Sequence, residues 1–275
     1  MKQFLGAVMS CLIVTSVGYG QEFGSKNCQH YRDYIQEYKS AVLSGRYLPQ
    51  SLVKSEEEAY LMQACLIRSD SKKIIGFKAG LTSNASQKRF NVGEPVFGVI
   101  TEESQHTSNE LLVEDNKTML IEAELAFRLG RDIYTLKDID KVASELVDAV
   151  APVIEMPLFH FKDLGTLTGN DIIATNVGVN KFLLGEFVSI DKVYVNSVHV
   201  SLNEGGQEID SSVDKVKINQ WQLLKWLIMK SYLEGYRLRK GMIYLTGSLV
   251  NPARMKKARY IADYSQFDSI ELIAK

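Results

Sequence analysis

The feature that most constrains the fold is a change of hydrophobic period near Lys73. Before it, apolar and aromatic residues recur every three or four positions (Tyr31, Tyr34, Ile35, Tyr38, Val42), the stripe of an amphipathic helix that Gly45 stops. Ser55, followed by Glu56, Glu57 and Glu58, reads as an N-cap with acidic residues in the first turn and opens a second helix running to Leu66. After Lys73 the chain breaks into short apolar or alternating runs, over residues 74–78, 96–100, 119–129, 150–155, 193–202 and 242–246, which predict strands. Helical spacing returns over residues 138–147 and 221–236, with Gly235 and Gly241 placed where a helix ends and a strand begins, and Gly205-Gly206 reads as a hairpin turn. The expected class is α+β: a helical cap over residues 21–72 leading into a sheet-rich body over residues 73–275.

Residues 1–20 stand apart. Lys2 supplies a positive start, residues 4–17 form an almost uncharged apolar run, and Gly18-Tyr19-Gly20 offers the small residues a signal peptidase reads, so cleavage is expected before Gln21. A run of 14 residues falls short of the roughly 20 that span a bilayer, which argues for export and against a permanent anchor. Cys11 lies inside the apolar run and not at its end, where a lipoprotein cysteine would sit. Removal of the leader leaves Cys28 and Cys65, which an oxidising compartment would allow to pair and which otherwise read as two buried thiols. The formal charge of -1 on 275 residues gives no basic field for nucleic acid.

In the string Ile121-Glu122-Ala123-Glu124-Leu125-Ala126-Phe127, strand alternation sends both glutamates to one face and Ile121, Ala123 and Leu125 to the other. Two carboxylates held together resist joint ionisation unless a cation neutralises them or one takes a proton. Glu155 ends the apolar run 150–154, where a buried strand would ordinarily continue with an apolar residue, so it needs a buried partner. Three carboxylates without a neighbouring His or Cys are hard oxygen ligands, suited to Mg2+, Mn2+ or Ca2+ rather than Zn2+. Taken alone, the same spacing also describes the wet face of an antiparallel strand. His30, His106, His160 and His199 are scattered without metal-ligand spacing and read as surface or packing residues; His160, close after Glu155 among Phe159 and Phe161, is the one nearest the acidic cluster in sequence.

Five ordered strings between about residues 55 and 252 resemble the hydratase and decarboxylase branch of the fumarylacetoacetate hydrolase superfamily, the group that includes the 2-keto-4-pentenoate hydratases. Gly76-Phe77-Lys78-Ala79-Gly80-Leu81-Thr82-Ser83 is similar to its glycine-bracketed lysine segment, and Glu94-Pro95-Val96-Phe97-Gly98 to the loop that follows. The paired ligands in 121–127, the third ligand at Glu155, and Leu245-Thr246-Gly247-Ser248-Leu249 complete the series. The resemblance implies a distorted β-roll body, Mg2+ or Mn2+ on Glu122, Glu124 and Glu155, and a 2-keto acid chelating that metal. It further implies Lys78 as the catalytic cation beside the enolate, Thr246, Gly247 and Ser248 as donors to the substrate carboxylate, and assembly into a homo-oligomer.

The implied activity is hydration of a 2-hydroxy-2,4-dienoate in aromatic catabolism. Decarboxylation and acylpyruvate hydrolysis are alternatives on the same scaffold, and an exported keto-acid or metal binder without turnover is a third. Three positions depart from the pattern: Val96 stands where the family's hydratases carry an acid/base aspartate, and Gly178 and Val179 where they carry small hydroxyl residues. Glu94, two residues before Val96, lies about 7 Å away along an extended strand, too far to act in its place.

Overall fold

The computed structural model describes residues 28–114, 117–212 and 219–275; the expected leader, residues 1–20, lies outside them. A 3-10 turn at Gln29–Tyr31 leads into the helix Arg32–Ser44, which ends on Gly45 in the left-handed region (φ 65°). The helix Glu56–Arg68 is capped by the Ser55 hydroxyl, which accepts the Glu58 amide at 3.1 Å. Cys28 and Cys65 are disulfide-bonded, with their Cα atoms 5.4 Å apart, so the start of the turn Gln29–Tyr31 is clamped to the helix Glu56–Arg68. That helix is tied in turn to the body by Gln63, whose buried amide donates to the carbonyls of Phe97 and Ile173 at 2.9 and 3.1 Å.

The strands in chain order are β1 (Ile74–Gly80), β2 (Val96–Thr101), β3 (Gln105–His106), β4 (Glu110–Leu111), β5 (Leu120–Leu129), β6 (Val147–Met156) and β7 (Lys181–Leu184). They are followed by β8 (Val188–Ser189), β9 (Val200–Glu204), β10 (Gln207–Ser211), β11 (Ile243–Leu245), β12 (Ala253–Arg254), β13 (Arg259–Tyr264) and β14 (Ile270–Ala274). One sheet runs β2-β1-β11-β5-β6-β7-β3, with β12 added to β5 and β8 to β6; the other runs β10-β9-β13-β14-β4. Pairing is mixed, with β1 parallel to β11 and β5 antiparallel to both β11 and β6. Short helices lie between strands at Asn84–Phe90, Leu136–Ile139 and Gly169–Ala174, and the helix Gln220–Leu233 packs on β1, β2 and β11. This is the α+β architecture expected. Among the described residues no helix is long and apolar enough to cross a membrane.

Two local expectations change. The helical spacing over residues 138–147 is delivered by a one-turn helix, Leu136–Ile139, and a 3-10 turn, Ala143–Glu145, before β6 begins at Val147. Ile139, Ala143 and Leu146 still point into the core, so the spacing reflects burial from two separate turns. Within the expected strand 193–202, residues Val195–Ser197 form a 3-10 turn and only Val200 onward is extended.

The central strands β5 and β6 are buried on both faces, which is why an acidic residue in either demands explanation. Tyr264 of β13 joins the sheets beneath them: its buried hydroxyl lies 2.8 Å from the Val153 carbonyl and 3.2 Å from that of Glu124.

Candidate active site

The register of β5 on β6 places Glu122 directly opposite Glu155 and Glu124 opposite Val153. Like charges facing each other across a ladder destabilise a sheet unless something offsets them. Here one carboxylate oxygen from each of Glu122, Glu124 and Glu155 falls within 4.8 Å of the others. Glu124 and Glu155 are buried and Glu122 is half-buried.

The offsetting cation arrives from β1. Lys78 is paired in register with Leu245 of β11, and Leu245 with Ala126 of β5, which sets the lysine two strands from the acidic cluster on the same sheet. Its ammonium lies 2.6 Å from both Glu155 carboxylate oxygens, with both side chains 3% exposed. Burial alone would drive the lysine toward its neutral form. The three surrounding carboxylates outweigh it and hold the Lys78 pKa above the ordinary lysine value.

The glycines that bracket Lys78 each have a steric reason. A Cβ on Gly76 would lie 1.9 Å from the Ile243 carbonyl oxygen, and one on Gly80 would lie 2.4 Å from Cγ1 of Val177. The strand that presents the lysine therefore tolerates no side chain at either end.

The acids respond to burial. It pushes Glu122 up to about 7, with Lys78 opposing and Glu155 adding to the rise. Burial, reinforced by the charge of Glu155, lifts Glu124 well above the carboxylate range. One Glu124 oxygen, Oε2, accepts the Gly247 amide at 2.9 Å, while Oε1 is buried and has no hydrogen-bond donor. A buried carboxylate oxygen lacking a donor, in a cluster of three hard oxygen ligands, fits a divalent cation.

The cluster opens onto a cavity of about 1080 Å3. Lys78, Glu122, Gly247 and Ser248 form its acidic end. Leu81, Leu120, Phe159, Ile172, Val177 and Val198 furnish apolar wall. Of the three expected substrate donors, Ser248 lines the cavity and its hydroxyl has no partner. The Gly247 amide is already spent on Glu124. Thr246 is buried outside the cavity lining, with its hydroxyl 2.5 Å from Oε1 of Gln220.

The departures also have places. Val96 is buried in β2 opposite Gly80, its Cγ2 at 3.6 Å from where a Gly80 Cβ would be. Gly178 takes φ +67°, and a Cβ there would meet the Phe159 ring at 2.7 Å. Glu94 is engaged at the surface, accepting from Trp226 and Lys230, and supplies nothing to the cavity. His160 accepts the Thr118 amide at 3.1 Å and stacks on Tyr47, away from the acids. Sequence reasoning assigned no role to Gln220, Asn196 or Val177, all of which line the cavity; Val177 directly precedes the Gly178 and Val179 departures, and Asn196 lies in the apolar run 193–202.

No family model matches the chain. It is 30% identical over 188 residues to the TodF product hydratase of Pseudomonas putida, an alignment covering 65% of this chain and 67% of that protein. To the 2-keto-4-pentenoate hydratase of Paraburkholderia xenovorans it is 25% identical over 199 residues, 70% of this chain and 74% of the relative. Among solved structures, 4-oxalocrotonate decarboxylase from Pseudomonas putida G7, complexed with magnesium and adipate, superposes with a TM-score of 0.79 at 16% identity, over 90% of this chain and 98% of that one. Fumarylpyruvate hydrolase from Pseudomonas aeruginosa, in complex with Mn2+ and pyruvate, gives a TM-score of 0.53 at 16% identity, over 72% and 88%. These likenesses show a shared fold, the β-roll with its helical cap. The chain belongs to the hydratase family represented by the TodF product hydratase and the 2-keto-4-pentenoate hydratases.

Proposed function

We propose that this protein is a divalent-metal-dependent lyase that hydrates a small 2-hydroxy-2,4-dienoate, with Mg2+ or Mn2+ held by Glu122, Glu124 and Glu155 and Lys78 as the catalytic cation. The observation that carries the reading is the donorless Oε1 of Glu124 inside a cluster of three carboxylates and one ammonium. A bound divalent cation would supply Lewis acidity to a keto oxygen. Lys78 adds a fixed positive charge where an enolate forms, in a buried place where such a charge acts strongly. The Gly247 amide holds Glu124 in place, and the free Ser248 hydroxyl is available to a substrate carboxylate. Relatives named as hydratases of 2-keto-4-pentenoate and of 2-hydroxyhexa-2,4-dienoate support the substrate class.

A second reading is favoured by one observation. Valine at position 96 and glycine at position 178 leave no proton-carrying side chain at two places where the family's hydratases have one. Decarboxylation of a 2-keto acid needs no water delivered to the far carbon, so it suits a site without those two groups. An exported binder without turnover is the third reading; the Cys28 to Cys65 bridge supports an oxidising destination, periplasmic or extracellular. Parallel incubations of 2-hydroxypenta-2,4-dienoate and of an unsaturated 2-keto dicarboxylate with Mg2+ or Mn2+, with product analysis, separate these. A 4-hydroxy-2-keto acid product supports the hydratase. Release of CO2 from a 2-keto dicarboxylate, with no hydration, supports the decarboxylase, and metal-dependent binding without either product supports the binder.

A further inference from the structure

Resting on the keto-acid reading above, we propose that Val177 is a specificity-determining residue, holding an apolar wall beside Lys78 that selects 2-keto acids with an apolar carbon tail.

The evidence begins with backbone conformation. Asn176, Val177 and Gly178 are three successive residues in the left-handed region, at φ 59°, 55° and 67°. Glycine and asparagine visit that region readily, whereas a β-branched residue there is strained. A strained residue persists only where its surroundings over-determine it, and such residues gather at ligand sites. Both conditions are met. The Asn176 amide brackets β2, its Oδ1 accepting the Val99 N–H at 2.7 Å and its Nδ2 donating to the Val99 carbonyl at 2.9 Å.

Space has been cleared for the isopropyl group on the neighbouring strand β1, where a Cβ at Gly80 would lie 2.4 Å from Val177 Cγ1. Gly98 of β2 makes room for the turn itself: a Cβ there would lie 2.7 Å from the Asn176 carbonyl oxygen, 2.8 Å from Val179 Cγ2 and 3.2 Å from Val177 Cβ. The strand that carries Lys78 thus gives up a side chain so that a strained valine can lie beside it. Val177 is 2% exposed and lines the cavity.

The neighbours that share this wall are apolar, whereas the cavity as a whole also carries Arg89, Asn84, Asn196, Gln220 and Asn251. Val96 Cγ2 flanks the same Gly80 position, and Leu81, itself at φ 51°, continues the lining next to Lys78. Phe159 and Ile172 extend it into a cavity of about 1080 Å3, room for a tail well beyond three carbons.

The test is calorimetric binding to the full-length protein in Mg2+, using oxalate and the series pyruvate, 2-oxobutyrate, 2-oxopentanoate and 2-oxohexanoate, with wild type, Val177→Gly and Val177→Ala. In the wild type each added methylene should tighten binding by about fourfold. In both variants the first two steps should fall below about twofold, while oxalate, which has no tail, stays within about twofold of wild type. The melting temperature of Val177→Gly should stay within about 3 °C of wild type, relief of strain offsetting lost packing. An unchanged tail gradient in the variants, or equal weakening of oxalate and tailed acids, overturns the proposal. Tighter binding of 2-oxoadipate than of 2-oxohexanoate overturns the apolar-tail class. A wild type that binds oxalate but shows a flat gradient sinks this inference alone; one that binds no oxalate sinks the keto-acid reading with it.

Discussion

Replacing Glu124 by glutamine should move stability in opposite directions with and without metal. Three carboxylate oxygens lie within 4.8 Å of one another, and two unit charges at that distance repel by about 3.5 kcal/mol at the effective dielectric of about 20 that suits protein sites. Proton uptake relieves part of this. Holding a proton at pH 7 on a group with an ordinary value near 4.5 itself requires about 3 kcal/mol, so the strain in the metal-free cluster has a similar ceiling. Glutamine removes one charge, keeps an oxygen to accept the Gly247 amide, and adds an N–H beside Glu122. Metal-free Glu124→Gln is therefore expected to be about 1–3 kcal/mol more stable than wild type, a rise of roughly 3–8 °C in melting temperature for a chain of this size. Addition of millimolar Mg2+ or Mn2+ should raise the wild type and leave the variant unmoved. The assay is thermal unfolding in chelator and in metal. A variant less stable than wild type in chelator would refute the electrostatic account, and one that responds to metal as wild type does would refute the ligand assignment.

Lys78→Met leaves the Glu155 carboxylate buried without its cation, so the metal-free protein should lose about 3–5 kcal/mol in chemical denaturation, while Mg2+, no longer facing a neighbouring ammonium, binds more tightly in titration and turnover is abolished. Gly76→Ala forces a Cβ to 1.9 Å from the Ile243 carbonyl; separation of β1 from β11 should destabilise the fold by about 3 kcal/mol or more and displace Lys78, seen as lost metal response in the same melts. The Cys28 to Cys65 bridge closes 37 residues of sequence, a constraint on the unfolded chain of about 4 kcal/mol; Cys65→Ser should lower the melting temperature by roughly 8–16 °C, and an equal melt in reductant and oxidant would contradict it.

What could be read from sequence follows from which signals are periodic. The alternation through Glu122 and Glu124 is a strand signal, and a carboxylate ending an apolar run announces a buried partner, which is Lys78. The helix after Ser55 announced itself through a cap and an acidic first turn. Spacing could not separate one helix over residues 138–147 from two turns that bury the same Ile139, Ala143 and Leu146. The fate of Thr246 depends on Gln220, a contact between elements 26 residues apart that no local pattern encodes. Val177 was hidden for a stronger reason: valine disfavours the left-handed region, so local propensity argues against the conformation that the Asn176 bracket holds and that Gly80 and Gly98 leave room for. The Cys pairing was undecidable until the two helices were placed, because the 5.4 Å Cα separation is tertiary geometry.

The central claim is a divalent-metal keto-acid site on Glu122, Glu124 and Glu155, and isothermal titration tests it most directly: Mg2+ and Mn2+ titrated into the wild-type protein and into Glu124→Ala, each with and without oxalate as an enolate mimic. The account predicts metal binding by the wild type, oxalate binding only when metal is present, and loss of both in the variant. Oxalate binding that ignores metal, or wild-type protein that binds neither ion, would contradict it.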